Sequence, residues 1–272
     1  MKVRGERECQ QCGTRWSYYE TGSIECPECE SLRSVGLNDR TTHTDTPVKL
    51  DLSAHQSRFG EAHETLPKDG VTELKTDIRE YTRKRGFIRG GELLTLDSAY
   101  LAARELLEAV DIYDRIRDPT DTEREYLFSL LAGAADGVRP PTEDVPESLR
   151  KARGMATVHA VEEYRRDLLV YLDELESREV SDDTVSSETD RDAVGETVKR
   201  DSDTAASRSS LAQNVLEQLR DRTKRVEALG GDVSPTDADA LVNAANAIGE
   251  FIRNGDDIAL TRAQDTLSEQ SI

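Results

Sequence analysis

Three features of the sequence predict a small cysteine-bearing unit of three short antiparallel strands followed by an all-α domain. Two C-x2-C pairs stand near the N-terminus. Apolar residues recur with a period near 3.6 from Val71 onward. A stretch rich in Ser, Thr, Asp and Glu interrupts that pattern at 177–208. The expected organisation is a ribbon over 1–40, a linker over 41–70, a helical bundle over 71–176, a disordered acidic linker over 177–208 and a three-helix segment over 209–269.

The four cysteines read Cys9-x2-Cys12-x13-Cys26-x2-Cys29. Each C-x2-C pair wraps a tight turn whose backbone N–H groups point at the sulfurs, and two such turns facing each other make a tetrahedral thiolate cage. Gly13 follows the first pair, where the chain must turn back, and Pro27 stiffens the second. Trp16 to Tyr19 reads as a strand, Thr21-Gly22 as a turn, Ile24 to Cys26 as the returning strand, and Leu32 to Val35 as a third. Four thiolates close a zinc shell and leave no open position, so the expected zinc is one structural ion that supplies much of the ribbon's folding free energy. The same donor set also fits iron.

Between 41 and 70 the chain reads as a polar linker with a short helix around Leu52 to Thr65, and His55 and His63 read as solvated surface. Leu74, Ile78 and Tyr81 mark the next helix. It ends in a basic run of Arg79, Arg83, Lys84, Arg85 and Arg89, with Gly86 in the place of a C-terminal cap. This run is the candidate nucleic-acid-binding patch. A helix from about Leu93 to Arg117 follows, stopped by Asp118-Pro119. Thr120 and Glu123 form a capping box for the next, which ends at Gly137. After Pro140-Pro141, a long helix runs from Asp144–Glu147 to about Leu175, with His159 on or beside its apolar stripe near Glu162 and Glu163. The last helices span Leu211 to Leu229, Pro235 to Ile252 and Asp257 to Leu267, the second capped by Ser234 with Pro235 at its first position.

Composition bounds the function. With 36% apolar and 5% aromatic residues against 33% charged, core material is thin for 272 residues. The net charge of −19 opposes binding of the molecule as a whole to nucleic acid or anionic membrane. Only 8 of the 36 basic residues are Lys. Heavy acidity with little Lys suits a cytosol at very high salt, where a Debye length of about 3 Å screens self-repulsion, so a halophilic source and a cytoplasmic location are expected. No apolar run is long enough to span a membrane. There is no nucleophile elbow, H-E-x-x-H or phosphate loop, so neither an enzyme nor a small-molecule substrate is expected.

Cys9-Gln-Gln-Cys12-Gly13, Trp16 and Cys26-Pro-Glu-Cys29 resemble the transcription factor IIB-type zinc ribbon. With its Arg-rich acidic helical remainder, the chain is similar to uncharacterised zinc-ribbon proteins of halophilic archaea. The resemblance implies zinc binding and a place in transcription or another information-processing assembly. The second knuckle, Cys-Pro-x-Cys, is also similar to that of rubredoxin, which implies iron, although Glu30 stands where such knuckles carry Gly. A rubrerythrin-like reading fails because Arg40, Leu52, Gly60 and Ala156, not Glu, precede His43, His55, His63 and His159 by three residues. The function expected is a non-enzymatic adaptor that binds a protein partner. The alternatives are direct DNA or RNA binding through the ribbon, with Trp16, Tyr18 or Tyr19 stacking, and the 79–89 segment, or an iron electron carrier. The same aromatics also read as the ribbon's own small core, the reading preferred for Trp16.

Overall fold

A computed structural model describes residues 1–61, 68–185 and 197–269, without side chains for 61–69 and 178–207. It has a small strand-built N-terminal unit carrying the cysteines and a helical domain behind it, as the sequence predicts.

Strand β1 spans Lys2–Arg4, β2 Glu6–Cys9, β3 Arg15–Ser17, β4 Ser34–Gly36 and β5 Arg40–Thr42. The ribbon sheet has the order β3-β2-β4, all antiparallel, with Arg7 opposite Trp16 and Val35 opposite Glu8. Its central strand, β2, leads into the first cysteine pair and ends on Cys9, where no strand is expected from the sequence. The expected strand over Ile24 to Cys26 is absent. Instead, after β3 the chain makes a single helical turn, α1 (Tyr18–Thr21), closed by Gly22. Residues 23–24 are then pinned by side chains, because the Trp16 indole N–H donates to the Ser23 carbonyl (3.0 Å) and the Ser34 hydroxyl to the Ile24 carbonyl (2.8 Å). Strand β1 pairs with β5, so the unit closes through Thr42 rather than ending at residue 40.

The segment expected to be a linker is built into the structure. After β5, Thr42, His43, Asp45, Leu50 and Leu52 are buried, and α2 (Ser53–Glu61) carries the buried His55 and Phe59. Burying a polar run is costly unless its groups are partnered, and the main ones here are, although His55 Nδ1 is buried without a partner. Thr44 donates to Asp167 Oδ2 (2.7 Å), and the Thr46 N–H donates to the Lys84 carbonyl (2.8 Å). His55 is therefore not surface: its Nε2 lies 2.7 Å from Asp77 Oδ2 and its ring stacks on Phe59. His63 lies outside the described residues.

Helix α3 (Lys68–Lys84) leads into a hairpin of β6 (Ile88–Arg89) and β7 (Glu92–Leu93). Gly86 is not a left-handed cap. Its N–H donates to Asp45 Oδ1 (3.3 Å), and a Cβ there would sit 2.5 Å from the Thr44 backbone, so close approach of two chains requires the glycine. Helix α4 (Ser98–Tyr113) starts later than its apolar pattern suggests, because Leu93 belongs to the hairpin and Asp97 caps the helix by accepting the Tyr100 N–H (2.7 Å). Helix α5 (Asp121–Gly133) carries the expected Thr120/Glu123 capping box. Short 3-10 turns fill much of 134–149, and α6 (Arg150–Val185) begins after them. Then come α7 (Thr197–Ala228), α8 (Pro235–Asn254) and α9 (Asp257–Glu269). Helices α6 and α7 thus enter the expected acidic linker from either side, and 186–196 lie outside the described residues.

One contiguous apolar core holds the helical domain together. Phe59, Leu74 and Leu106 at one end share it with Tyr164 of α6 and with Leu216, Leu241 and Phe251 of the C-terminal helices, so α7 to α9 pack on the bundle. The ribbon has a separate small cluster of Cys9, Trp16 and Cys26, with Cys29 against it.

Candidate metal centre

Two turns of the same geometry present the four sulfurs. In the first knuckle the Gly13 N–H donates to the Cys9 carbonyl (3.0 Å) and the Cys9 N–H to the Thr14 carbonyl (2.9 Å). In the second, the Glu30 N–H donates to the Cys26 carbonyl (2.9 Å) and the Cys26 N–H to the Ser31 carbonyl (3.1 Å). Both turns need a left-handed residue after the second cysteine. Gly13 supplies φ 77° without steric cost, whereas Glu30 is forced to φ 58°, the only positive φ of a non-glycine among the described residues. The departure from the glycine pattern at Glu30 is thus a site of backbone strain.

All four sulfurs lie within 4.8 Å of one another. The Cys12–Cys29, Cys12–Cys26 and Cys9–Cys29 separations are 3.4, 3.5 and 3.6 Å. A tetrahedral shell with metal–sulfur bonds of about 2.3 Å has edges of about 3.8 Å, whereas a disulfide would need about 2.0 Å. The cysteines are free, and their spacing is that of ligands. The Gln11 N–H points at Cys9 Sγ (3.4 Å), as a knuckle amide should. Such a cluster does not ionise evenly by itself. Hydrogen bonding from the Thr14 side chain and backbone holds Cys12 down at about 6. At Cys29 the Ser31 backbone also favours the thiolate, but the neighbouring Cys12 sulfur, burial, and the Cys9 and Cys26 sulfurs outweigh it and push the thiol up to about 12. A cation at the centre removes this conflict, so the donor set fits a metal ion.

Trp16 is 7% exposed and packs with Cys9 and Cys26, so it is the ribbon's core rather than a stacking platform. The Tyr19 hydroxyl bonds Thr41 Oγ1 (2.5 Å), and its ring lies 4.8 Å from that of His43. Tyr18 meets His43 edge-on. The ribbon is mounted on the helical domain through this patch, where the Gly90 N–H donates to His43 Nδ1 (3.2 Å).

The basic run does not form one free patch. Asp45, fully buried, accepts from Arg85 Nη1 (2.8 Å) and from Arg89 Nε (2.9 Å), and Arg85 also reaches Asp97 (2.6 Å). Lys84 pairs with Glu80 (2.5 Å), and Arg79 lies 3.9 Å from Asp111. Arg83 is exposed. His159 faces Glu108 of α4 (3.6 Å) and is 42% exposed, so it is neither a core histidine nor a partner of Glu162 and Glu163.

Sequence reasoning missed a second buried charge network, in the helical domain. Glu105 is fully buried. It accepts from Tyr126 and from Arg139 Nη1 (3.0 Å), while Arg153, 3% exposed, makes two bonds to Asp239 (3.1 and 2.6 Å). A cleft of about 1150 Å³ opens above it between α5 and the Pro140–Pro146 loop. Polar groups at its base are already paired, Glu123 with Ser148 and Thr120, and Arg150 with Asp232 (2.5 Å).

The profile of a family of unknown function, DUF7117, matches residues 1–204 and 191–267. The chain belongs to this family. The matched residues include the four cysteines, the buried segment around Asp45 (the Asp45 strap) and the C-terminal helices, so DUF7117 embraces ribbon and bundle together. Comparison with curated proteins and with solved structures finds no match. No helix among the described residues is long and apolar enough to cross a membrane.

Proposed function

We propose that the protein is a non-enzymatic adaptor whose ribbon, held by one structural zinc ion, docks on a protein partner. The observation that carries this reading is where apolar surface is exposed. Ile24, Leu32, Val35 and Leu37 are 48%, 69%, 39% and 46% exposed and cluster around β4. Val35 and Leu37 alternate onto one face, and the Ser34–Ile24 hydrogen bond holds Ile24 beside the same strand. Exposed large apolar residues of the helical domain, such as Val138, Val170 and Ile258, lie far apart in sequence. Isolated exposed apolar residues are ordinary, whereas a cluster marks an interaction site. A closed four-thiolate shell leaves no position for substrate, which favours a structural ion over a catalytic one.

Resemblance to the transcription factor IIB-type ribbon supports a place in a transcription or other information-processing assembly. Direct nucleic-acid binding through 79–89 is less well supported, since Arg85 and Arg89 are engaged by Asp45. The four-thiolate shell accepts zinc or iron, and the zinc-ribbon resemblance favours zinc. Elemental analysis decides this point, with a colourless zinc protein expected and a red, reducible one supporting the electron carrier.

The test is affinity purification of the full chain from a high-salt cytosol with nuclease present, beside the double variant Val35→Glu/Leu37→Glu. The adaptor reading expects a protein partner that survives nuclease and is lost from the variant while zinc content is unchanged. A partner lost on nuclease treatment, or retained by the variant, contradicts it.

A further inference from the structure

We infer that the metal centre is a peroxide-responsive release switch, in which Cys12 and Cys29 form a disulfide that joins the two knuckles and expels the ion. This rests on the zinc-thiolate reading above and adds a regulation to it. The four ligands are not equivalent. Cys9 and Cys26 are each 1% exposed, Cys29 is partly exposed, and Cys12 is open to solvent. A small oxidant therefore meets Cys12 first. Both Cys29 and Cys26 lie within reach of Cys12, at 3.4 and 3.5 Å, but only Cys29 is partly exposed. Cys29 also sits in the weaker turn. Glu30, directly after it, is held at φ 58°, whereas the first knuckle has Gly13 in the equivalent place. Breaking the Cys29–metal bond lets Glu30 relax, so the second knuckle is the half that opens.

The chemistry balances with hydrogen peroxide as the oxidant. The Cys12 thiolate attacks one peroxide oxygen. The S–O bond forms, the O–O bond breaks and hydroxide leaves, giving the sulfenic acid. The Cys29 thiolate then attacks that sulfur. The S–S bond forms, the S–O bond breaks and a second hydroxide leaves. Two protons from solvent convert both hydroxides to water. The two thiolates lose two electrons in total, and the peroxide gains them. Cys9 and Cys26 remain as two of four donors, too few to retain zinc.

The consequence follows from the separation of the two cores. The Cys9–Trp16–Cys26 cluster loses the clamp beneath it, and the apolar face around β4 loses its support. The contiguous core of the helical domain contains no part of that cluster and is untouched.

The experiment uses the purified full chain at high salt, with its zinc measured first. Hydrogen peroxide is added beside a chromophoric zinc reporter, Trp16 fluorescence is followed, and non-reducing peptide mapping locates the disulfide. Expected are release of one zinc per chain, a red shift of Trp16 emission, a Cys12–Cys29 disulfide and recovery on adding reductant and zinc. Limiting N-ethylmaleimide should label Cys12 before the other three. Glu30→Gly, which leaves all ligands in place, should slow release about threefold. A protein purified without zinc overturns the metal reading itself. Zinc that is present but retained under peroxide, or a Cys9–Cys12 disulfide, overturns the switch while leaving that reading intact.

Discussion

Glu30 offers a sharp quantitative test of the knuckle geometry. An L-residue in the left-handed region costs about 1–2 kcal/mol. Glycine removes that cost but brings extra freedom to the unfolded chain, worth about 0.5–1 kcal/mol. Glu30 is exposed, so losing its side chain forfeits little packing. The net gain of Glu30→Gly is then about 0.5–1 kcal/mol. Because ribbon folding and metal binding are linked, this becomes a twofold to fivefold tighter zinc affinity. Gly13→Ala is the mirror experiment. A Cβ at Gly13 meets nothing within 4 Å, so its cost is conformational alone, and zinc affinity should fall by at least the same factor. Glu30→Gln removes the charge beside the thiolates while keeping the strain, and separates the two contributions. Competition with a chelator of known affinity, at high salt, reads all three variants. Equal affinities for wild type and Glu30→Gly, with Gly13→Ala also unchanged, would refute the argument that left-handed turns set the strength of this site.

Other expectations follow from the charge networks. Asp45→Ala leaves Arg85 and Arg89 without their buried acceptor and should cost about 3 kcal/mol, seen as a melting temperature lower by roughly 6–10 °C; a change under 2 °C, on the same scale, would show that the strap is not held by this pair. Glu123 has its pKa held below the ordinary 4.5 by the Ser148 hydroxyl first, then by the Thr120 N–H and hydroxyl. Its stabilisation is therefore complete above the ordinary value and lost as pH falls through the folded one. Glu123→Gln should lower the melting temperature at neutral pH, by an amount that shrinks from roughly pH 5 to 3; a constant difference would count against it. A net charge of −19 predicts that KCl raises the melting temperature steeply up to about 1 M, where the Debye length reaches about 3 Å; a melt independent of salt would remove the high-salt reading.

Local signals made the site legible before any fold was known. Two C-x2-C pairs, Gly13 and Trp16 all lie within 21 residues, and their meaning depends on little else. The Thr120/Glu123 box and the Ser234-Pro235 helix start were legible for the same reason. What could not be read was non-local or polar. Strand β2 is Glu-Arg-Glu-Cys, with no apolar alternation to mark it, and it is a strand through its pairing with β3 on one side and β4 on the other. The Asp45 strap reads as a linker because its groups are polar, yet Asp45 is matched by Arg85 and Arg89, 40 and 44 residues away, and Thr44 by Asp167, 123 residues away. The same distance hid the role of Arg85, which looks like a helix-end cation and is in fact an internal tie.

The protein's single tryptophan can show directly whether a bound metal holds the ribbon together. Trp16 packs on the cysteine cluster and no other indole contributes, so its emission reports the ribbon alone, while far-ultraviolet circular dichroism reports the helices. The purified chain should carry one zinc ion. On removing it with a chelator, Trp16 emission should shift to the red while helical dichroism stays within a few per cent, and adding zinc back should restore the emission. Emission that does not move when the metal is removed, or helices that unfold together with the ribbon, would contradict the account.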